Sequence, residues 1–215
     1  MTHGKAQINA ERRAQMNYYI SDLHIGHKNV IEFDGRPFTD ENEMLEALVA
    51  NWNARVRDKD TVYILGDFIW GKESGWADVV RRFRGKKVLV RGNHDPKTFT
   101  PETAARFAGI YDYLEITDAP YKVVLCHYPL LAYVHDFSAK GVMVYGHVHN
   151  TAEKELVQDF RRQVWARLER EENGPMGQLL HAGCMEEYMG YTPRTLAEII
   201  AGDVEKYGNP VAKMR

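Results

Sequence analysis

The stretch "VRGNHD", residues 90–95, closes the apolar run "KVLV" (87–90) with a glycine turn. Asn93, His94 and Asp95 follow in a row, three side chains that bind metal, carry protons or accept hydrogen bonds. One strand ending in this way is an ordinary loop, so its meaning depends on how the other strands end. Short runs rich in Val, Ile and Tyr recur at "NYYI" (17–20), "TVYIL" (61–65), "YKVVLC" (121–126) and "VMVY" (142–145), with a sixth at "QLLHAGCM" (178–185). Each has strand length and β-branched or aromatic character. "NYYI" leads into Asp22 and His24, "TVYIL" into Asp67, "YKVVLC" into His127, and "VMVY" into His147 and His149. Asp67, Asn93 and His147 each follow a glycine directly, the residue that permits a tight turn and close backbone approach.

Open α/β sheets bind ligands at the carboxyl ends of their strands. Gathered there, these ends supply two carboxylates (Asp22, Asp67), one amide (Asn93) and five of the nine histidines in the chain. Each piece alone is more often a turn or a hydrogen-bonded core residue than a metal ligand; the full set is hard to explain as coincidence. Carboxylate, imidazole and amide oxygen without thiolate suit Mn, Fe, Zn or Ni. Seven candidate ligands exceed what one tetrahedral site needs and fit two sites sharing a bridging carboxylate. Cys126 neighbours His127 on a strand and points to the opposite face. Cys184 reads as a small core residue.

Helical patterns lie between the strands. "DENEMLEALVANWNARV" opens on Asp40 as N-cap with Glu43 three residues on, and Leu45, Leu48, Val49, Trp52 and Val56 share one face. "SGWADVVRRF", "TPETAARF" (Thr100 as N-cap, Pro101 at the first helical position) and "TLAEIIAGDVEKYG" are further helices. The charged segment 151–173 carries Leu156, Phe160, Val164 and Leu168 at every fourth position. It reads as a long surface helix packed on its own domain; an inserted lid or dimer element is the sharper alternative. The alternation of elements predicts a layered α/β fold with a mixed central sheet.

The 215 residues, 44% hydrophobic and 27% charged, suit one globular domain. We expect a polar extension over residues 1–15 and a single domain over 16–215, with a helical insertion at 151–173. Net charge is −2, so the chain as a whole is not a polyanion binder. The basic run Arg81, Arg82, Arg84, Lys86 and Lys87 reads as solvated helix ends and is the only support for a nucleic-acid partner. Two cysteines are too few for a disulfide framework, and neither a transmembrane run nor a signal-peptide pattern is present. A reducing, cytoplasmic setting is expected; oligomeric state is left open.

The order Asp-x-His, Gly-Asp, Gly-Asn-His-Asp, His and Gly-His-x-His resembles the calcineurin-like metallophosphoesterases, and within them the small prokaryotic-type phosphoesterases. "SDLHIGHKNVI", "GDF", "RGNHD", "CHYPL" and "GHVHN" carry the resemblance across residues 18–150, and "YTPRTLAEII" extends it. "HAGCMEEYMGYTP", where relatives often have a Val-rich segment, and the long 151–173 helix depart from the pattern. The resemblance implies an α/β sandwich of the four-layer type, two mixed central β-sheets flanked by helices. It implies one metal on Asp22, His24, Asp67 and His149, and a second on Asp67, Asn93, His127 and His147. His94 would be the catalytic histidine, with Asp95 holding it in orientation.

The activity implied is hydrolysis of a phosphoester, a phosphodiester or small nucleotide, by a hydroxide bridging two metals about 3.5–4 Å apart. His94, protonated, would donate to the leaving group. Arg36 in "FDGRPF" and Arg91 are candidates for phosphate contact, with a structural ion pair as the plainer reading. His27 and Asn29 are candidates to support the ligands, or ordinary loop residues. Rival readings are a nuclease or phosphoprotein phosphatase of the same fold, and a metal-bound scaffold without catalysis. A scaffold should show eroded ligands, and here every ligand position is filled.

Overall fold

The computed structural model describes residues 14–72, 75–170 and 177–211. The expected extension at 1–15 falls almost wholly outside the described residues, as does the end of the 151–173 segment. The elements in chain order are β1 (Asn17–Ile20), α1 (Lys28–Phe33), α2 (Glu41–Arg55), β2 (Thr61–Ile64), α3 (Trp76–Arg81), β3 (Lys86–Val90), α4 (Pro101–Ala104), β4 (Gly109–Tyr111), β5 (Leu114–Asp118), β6 (Tyr121–Leu125), β7 (Gly141–Tyr145), α5 (Ala152–Glu169), β8 (Gln178–His181) and α6 (Leu196–Tyr207). No helix among the described residues is long and apolar enough to cross a membrane.

The strands form two four-stranded sheets in the orders β1-β2-β3-β4 and β5-β6-β7-β8. The first is parallel throughout its strands, with one antiparallel bridge, Tyr19 to Arg194, on the flank of β1. The second is mixed: β5 runs antiparallel to β6, while β6, β7 and β8 are parallel. Parallel pairing brings the carboxyl ends of β1, β2 and β3 to one edge of their sheet, and those of β6 and β7 to one edge of theirs. Ser21 joins the two edges, giving its N–H to Ala182 and accepting from Cys184 N–H, at 2.8 and 2.9 Å.

Apolar side chains on both faces of each sheet explain the layers. Tyr19 reaches across to the second sheet, its hydroxyl donating to Asp118 of β5 at 2.7 Å. Its neighbour Tyr18 faces the other way, beneath Arg55 of α2. Along β6 and β7, Val123, Leu125, Val142 and Val144 enter the main core between the sheets. Alternate residues Val124, Cys126, Met143 and Tyr145 form a second cluster on the outer face, as a period of two requires. Cys126 thus lies away from His127, as its place on the strand predicts.

Helix α5 covers that outer face with Val157 and Phe160. Its buried side is displaced from the expected stripe: Leu156 is 67% exposed, while Val157, Gln158 and Arg161 are buried. Positions four apart drift around a helix of 3.6 residues per turn, so a row of fours cannot stay on one buried face. Arg161 pairs with Asp203 of α6 at 2.5 Å, and Asn209 bonds the same carboxylate at 2.9 Å. The helix is packed on its own domain. The basic run is engaged locally: Arg81 with Asp78, Arg82 with Glu46, and Lys87 with the carbonyls of Phe83 and Gly85.

Candidate metal centre

The carboxyl ends of β1, β2, β3, β6 and β7 meet at one end of the sandwich. Their loops are bonded backbone to backbone: Asp22 N–H to Gly66 O at 3.1 Å, and His24 N–H to Asp67 O at 2.9 Å. Such contact leaves no room for side chains at three of the glycines: a Cβ on Gly66 would lie 2.6 Å from the backbone of Gly92. A Cβ on Gly92 would collide with Asp67 Oδ1, and one on Gly146 would lie 2.6 Å from Asp22 Oδ2.

The backbone itself is strained where the ligands stand. Seven described residues other than glycine have positive φ, and five of them are Asp22, His24, Asp67, His147 and His149, at +58°, +49°, +50°, +73° and +41°. Left-handed conformations at non-glycine residues cost about 1–3 kcal/mol each and persist only where surrounding structure enforces them. That cost is concentrated here to turn donor atoms toward a common point.

Asp22, His24, Asp67 and His149, all buried, place one ligand atom each within 4.8 Å of one another. His24 Nε2 and His149 Nε2 are 3.1 Å apart, and Asp67 Oδ2 lies 3.5 Å from His24 Nε2. The same Asp67 oxygen is 3.5 Å from His127 Nε2 on the other side. His127 Nε2 and His147 Nδ1 in turn converge on Asn93 Oδ1, at 2.9 and 3.0 Å. Two donor clusters therefore share Asp67.

Hydrogen bonds behind the ligands test whether a cation fits. His127 Nδ1 faces the Leu65 carbonyl at 2.8 Å, and a carbonyl only accepts, so Nδ1 carries the proton. His127 Nε2, on the far side of the ring, faces Asn93 Oδ1. His149 repeats the pattern: Nδ1 donates to Asp34 at 3.0 Å, and Nε2 faces His24. Imidazole nitrogens, carboxylate oxygens and an amide oxygen thus converge on two points, and this donor chemistry fits divalent transition-metal ions.

The electrostatics agree. Burial favours a protonated Asp22, but His127, His149, His181 and His24 outweigh it and pull its carboxyl down to about 2. Burial takes His24 down to about 3 against the opposing pull of Asp22, leaving a neutral imidazole at pH 7. Burial also lifts Asp67 above its ordinary value; Asp22 adds to this, and His127 offsets only part of it. Asp22 as carboxylate and His24 as neutral imidazole are in the forms that bind metal; at His149 burial lowers the imidazole, but the hydrogen bond to Asp34 and the charge of Asp22 outweigh it and hold it above its ordinary value.

Three expectations are corrected. Arg36 does not face the cleft: it is buried, its Nη1 and Nη2 donate to the carbonyls of Leu23 and Asp22 at 2.9 Å, and Nε and Nη2 hold Asp34. Those bonds consume the fork that would clasp a phosphate. Arg91 is likewise engaged, with both Asp112 oxygens at 2.8 and 2.7 Å and with Lys97 O at 2.7 Å. Asp95 holds the loops rather than the His94 ring: its carboxylate accepts the backbone N–H groups of Asp67, Phe68 and Gly92. His94 is exposed, with its backbone N–H on Asp67 Oδ1 at 2.9 Å.

Sequence reasoning missed Asp34, which orients His149 and is itself held by Arg36. It also missed Trp70, whose ring stacks on His27 and approaches His94. Asp34 sits two residues before Arg36 in "FDGRPF", so an acid beside a suspected functional arginine was the available signal. His27 contributes through that stack. Cys184 donates its thiol to the Asp22 carbonyl at 3.1 Å.

The family model described as calcineurin-like phosphoesterase matches residues 18–196. The chain belongs to this family. It is 37% identical over 134 residues to the Methanocaldococcus jannaschii protein named uncharacterized protein MJ1445, covering 61% of this chain and 68% of that one. It is 36% identical over 98 residues to the gene 66 protein of Mycobacterium phage L5, 44% of this chain and 46% of the phage protein. The crystal structure of AQ665, a protein of unknown function from Aquifex aeolicus, superposes with a TM-score of 0.62 at 25% identity, covering 86% of this chain and 98% of that one. The calcineurin-like phosphoesterase fold and the buried Asp/His cluster together support a metal-dependent hydrolase.

Proposed function

We propose that this phosphoesterase hydrolyses a phosphodiester or small nucleotide in the cytoplasm, using two divalent transition-metal ions of the Mn, Fe, Zn or Ni class. The observation that carries the reading is Asp67 Oδ2, 3.5 Å from a histidine of each donor cluster. Asp22, His24, Asp67 and His149 would hold one ion; Asp67, Asn93, His127 and His147 the other. Bound there, the pair would supply Lewis-acid neutralisation of phosphoryl charge and an activated water. The remaining work falls to the chain. Asp34 and the Leu65 carbonyl fix the tautomers of His149 and His127. His94, outside both donor sets, gives a proton to the leaving oxygen.

The test is metal analysis of protein purified without chelator, with a panel of monoesters, diesters, cyclic nucleotides and single-stranded nucleic acid assayed with each metal. About two ions per chain and chelator-sensitive diester hydrolysis are expected. Fewer than one ion with activity retained in chelator would defeat the reading. His94→Ala should keep its metal and lose roughly 10²–10⁴ in kcat, less for a nitrophenolate leaving group that needs no proton.

A further inference from the structure

His94 has a chemical task, and among the described residues no hydrogen bond anchors its ring. Its main chain is tied to Asp67, and Asp95 is occupied by the three backbone N–H groups described above. An exposed imidazole has several staggered rotamers open to it. A proton donor must stay within about 2.6–3.2 Å of the oxygen it serves, so free rotation would cost rate.

The rings nearest the His94 imidazole are Trp70, with centroids 4.6 Å apart and planes tilted by 49°, and His24 at 5.5 Å. Trp70 is itself held from two directions. Its backbone N–H donates to Ile25 O at 2.9 Å, beside the Ile25–Ile69 bridge. Its indole lies flat on His27, at 3.8 Å and 8°, and Phe33 of α1 meets His27 at 6.0 Å and 68°. Phe33, His27, Trp70 and His94 thus form a row of rings from α1 to the metal centre. Trp70 is 38% exposed, too open to serve mainly as core. A platform for stacking substrate is the rival explanation, but His27 already lies against one of its faces and His94 packs close beside it.

We propose that Trp70 is a positioning residue for His94, its indole, backed by His27, confining the imidazole to the rotamer that overhangs the donor clusters. The inference rests on the role given to His94 above. In that role, as a water oxygen bonds to phosphorus and the bond from phosphorus to the leaving oxygen breaks, His94 gives a ring proton to the leaving oxygen and takes one back from solvent.

Two measurements test this. In NMR of metal-free protein, the His94 ring protons should be shifted by the indole ring current. Trp70→Leu should move them toward the positions of a free imidazole, and Trp70→Phe should move them less. Unmoved resonances in Trp70→Leu would overturn the inference whatever the enzyme does. In kinetics, Trp70→Leu should lower kcat about 10- to 100-fold with KM and metal content held, and Trp70→Phe should recover most of it. In a His94→Ala background the same change should cost less than about twofold. An equal loss in that background, or a loss confined to KM, would overturn the inference. So would full activity in His94→Ala, which removes the task Trp70 is said to serve. Wild type inactive on every ester would defeat the proposed function, while the NMR arm still decides whether Trp70 holds His94.

Discussion

The two donor clusters share one carboxylate and differ in almost everything else. Asp22, His24 and His149 are buried, and their supports are buried too: Asp34 behind His149, Arg36 behind Asp34, and Arg36 and Cys184 on the Asp22 carbonyl. In the other cluster only His127 is deeply set, against the Leu65 carbonyl, while Asn93 is exposed and His147 half-buried. His147 has Glu153, on the first turn of α5, 3.7 Å away, too far for a hydrogen bond. A donor set fixed by buried bonds loses little freedom on binding a cation; a set facing water must be ordered by the cation itself. The first cluster should hold its ion tightly, and the second should exchange it.

The strongest way to break this contrast is to remove what the clusters share. Asp67→Asn should depress both occupancies and lower kcat/KM by about 10³ or more, since a neutral amide bridges two cations poorly. Near-normal metal content and rate in this variant would show that Asp67 is not the bridge. Asp34→Asn addresses the buried cluster alone. It should weaken the tighter ion by about 10- to 100-fold, read by competition with a calibrated chelator, and leave the weaker ion unchanged. Equal effects on both ions would mean that the clusters are not independently supported.

Asn93→Ala addresses the open cluster. It should lower the rate by about tenfold at stoichiometric metal and regain most of it in excess metal, because the remaining ligands of an exchanging site saturate by mass action. Failure of excess metal to restore activity would place Asn93 in a role beyond metal binding. The smallest effects concern the helix beside the open cluster. Val157→Ala should cost about 2 kcal/mol in denaturant unfolding by opening the outer core, whereas Leu156→Ala, one residue earlier and exposed, should stay within about 0.5 kcal/mol. Equal costs would return α5 to a loosely attached element.

The sequence by itself determined the strands that carry ligands and the end of the sheets where those ligands gather. β1, β2, β3, β6 and β7 lie within a residue of their expected bounds, because buried strands declare themselves by unbroken β-branched and aromatic runs. The glycines before Asp67, Asn93 and His147 were legible as residues that allow a tight turn; that each is closed off by another loop, Gly66 by Gly92, Gly92 by Asp67 and Gly146 by Asp22, came only with the fold. Elements without a local signature were not legible. β4 has three residues, β5 alternates half-buried with exposed positions at the edge of its sheet, and α1 has one buried residue and no side-chain cap.

Tertiary structure alone decided what stands behind the ligands. Arg36, a candidate phosphate contact with an ion pair as the plainer reading, became a buried brace paired with Asp34, Asp95 turned from a brace of His94 into an anchor for three backbone N–H groups, and Trp70 came to lie against His94. A ligand is marked by its own residue type at a strand end, a property of a few consecutive residues. A support is defined by which distant loop it meets, as Asp34 meets His149 across 115 positions of sequence. Only folding brings those partners within hydrogen-bonding distance.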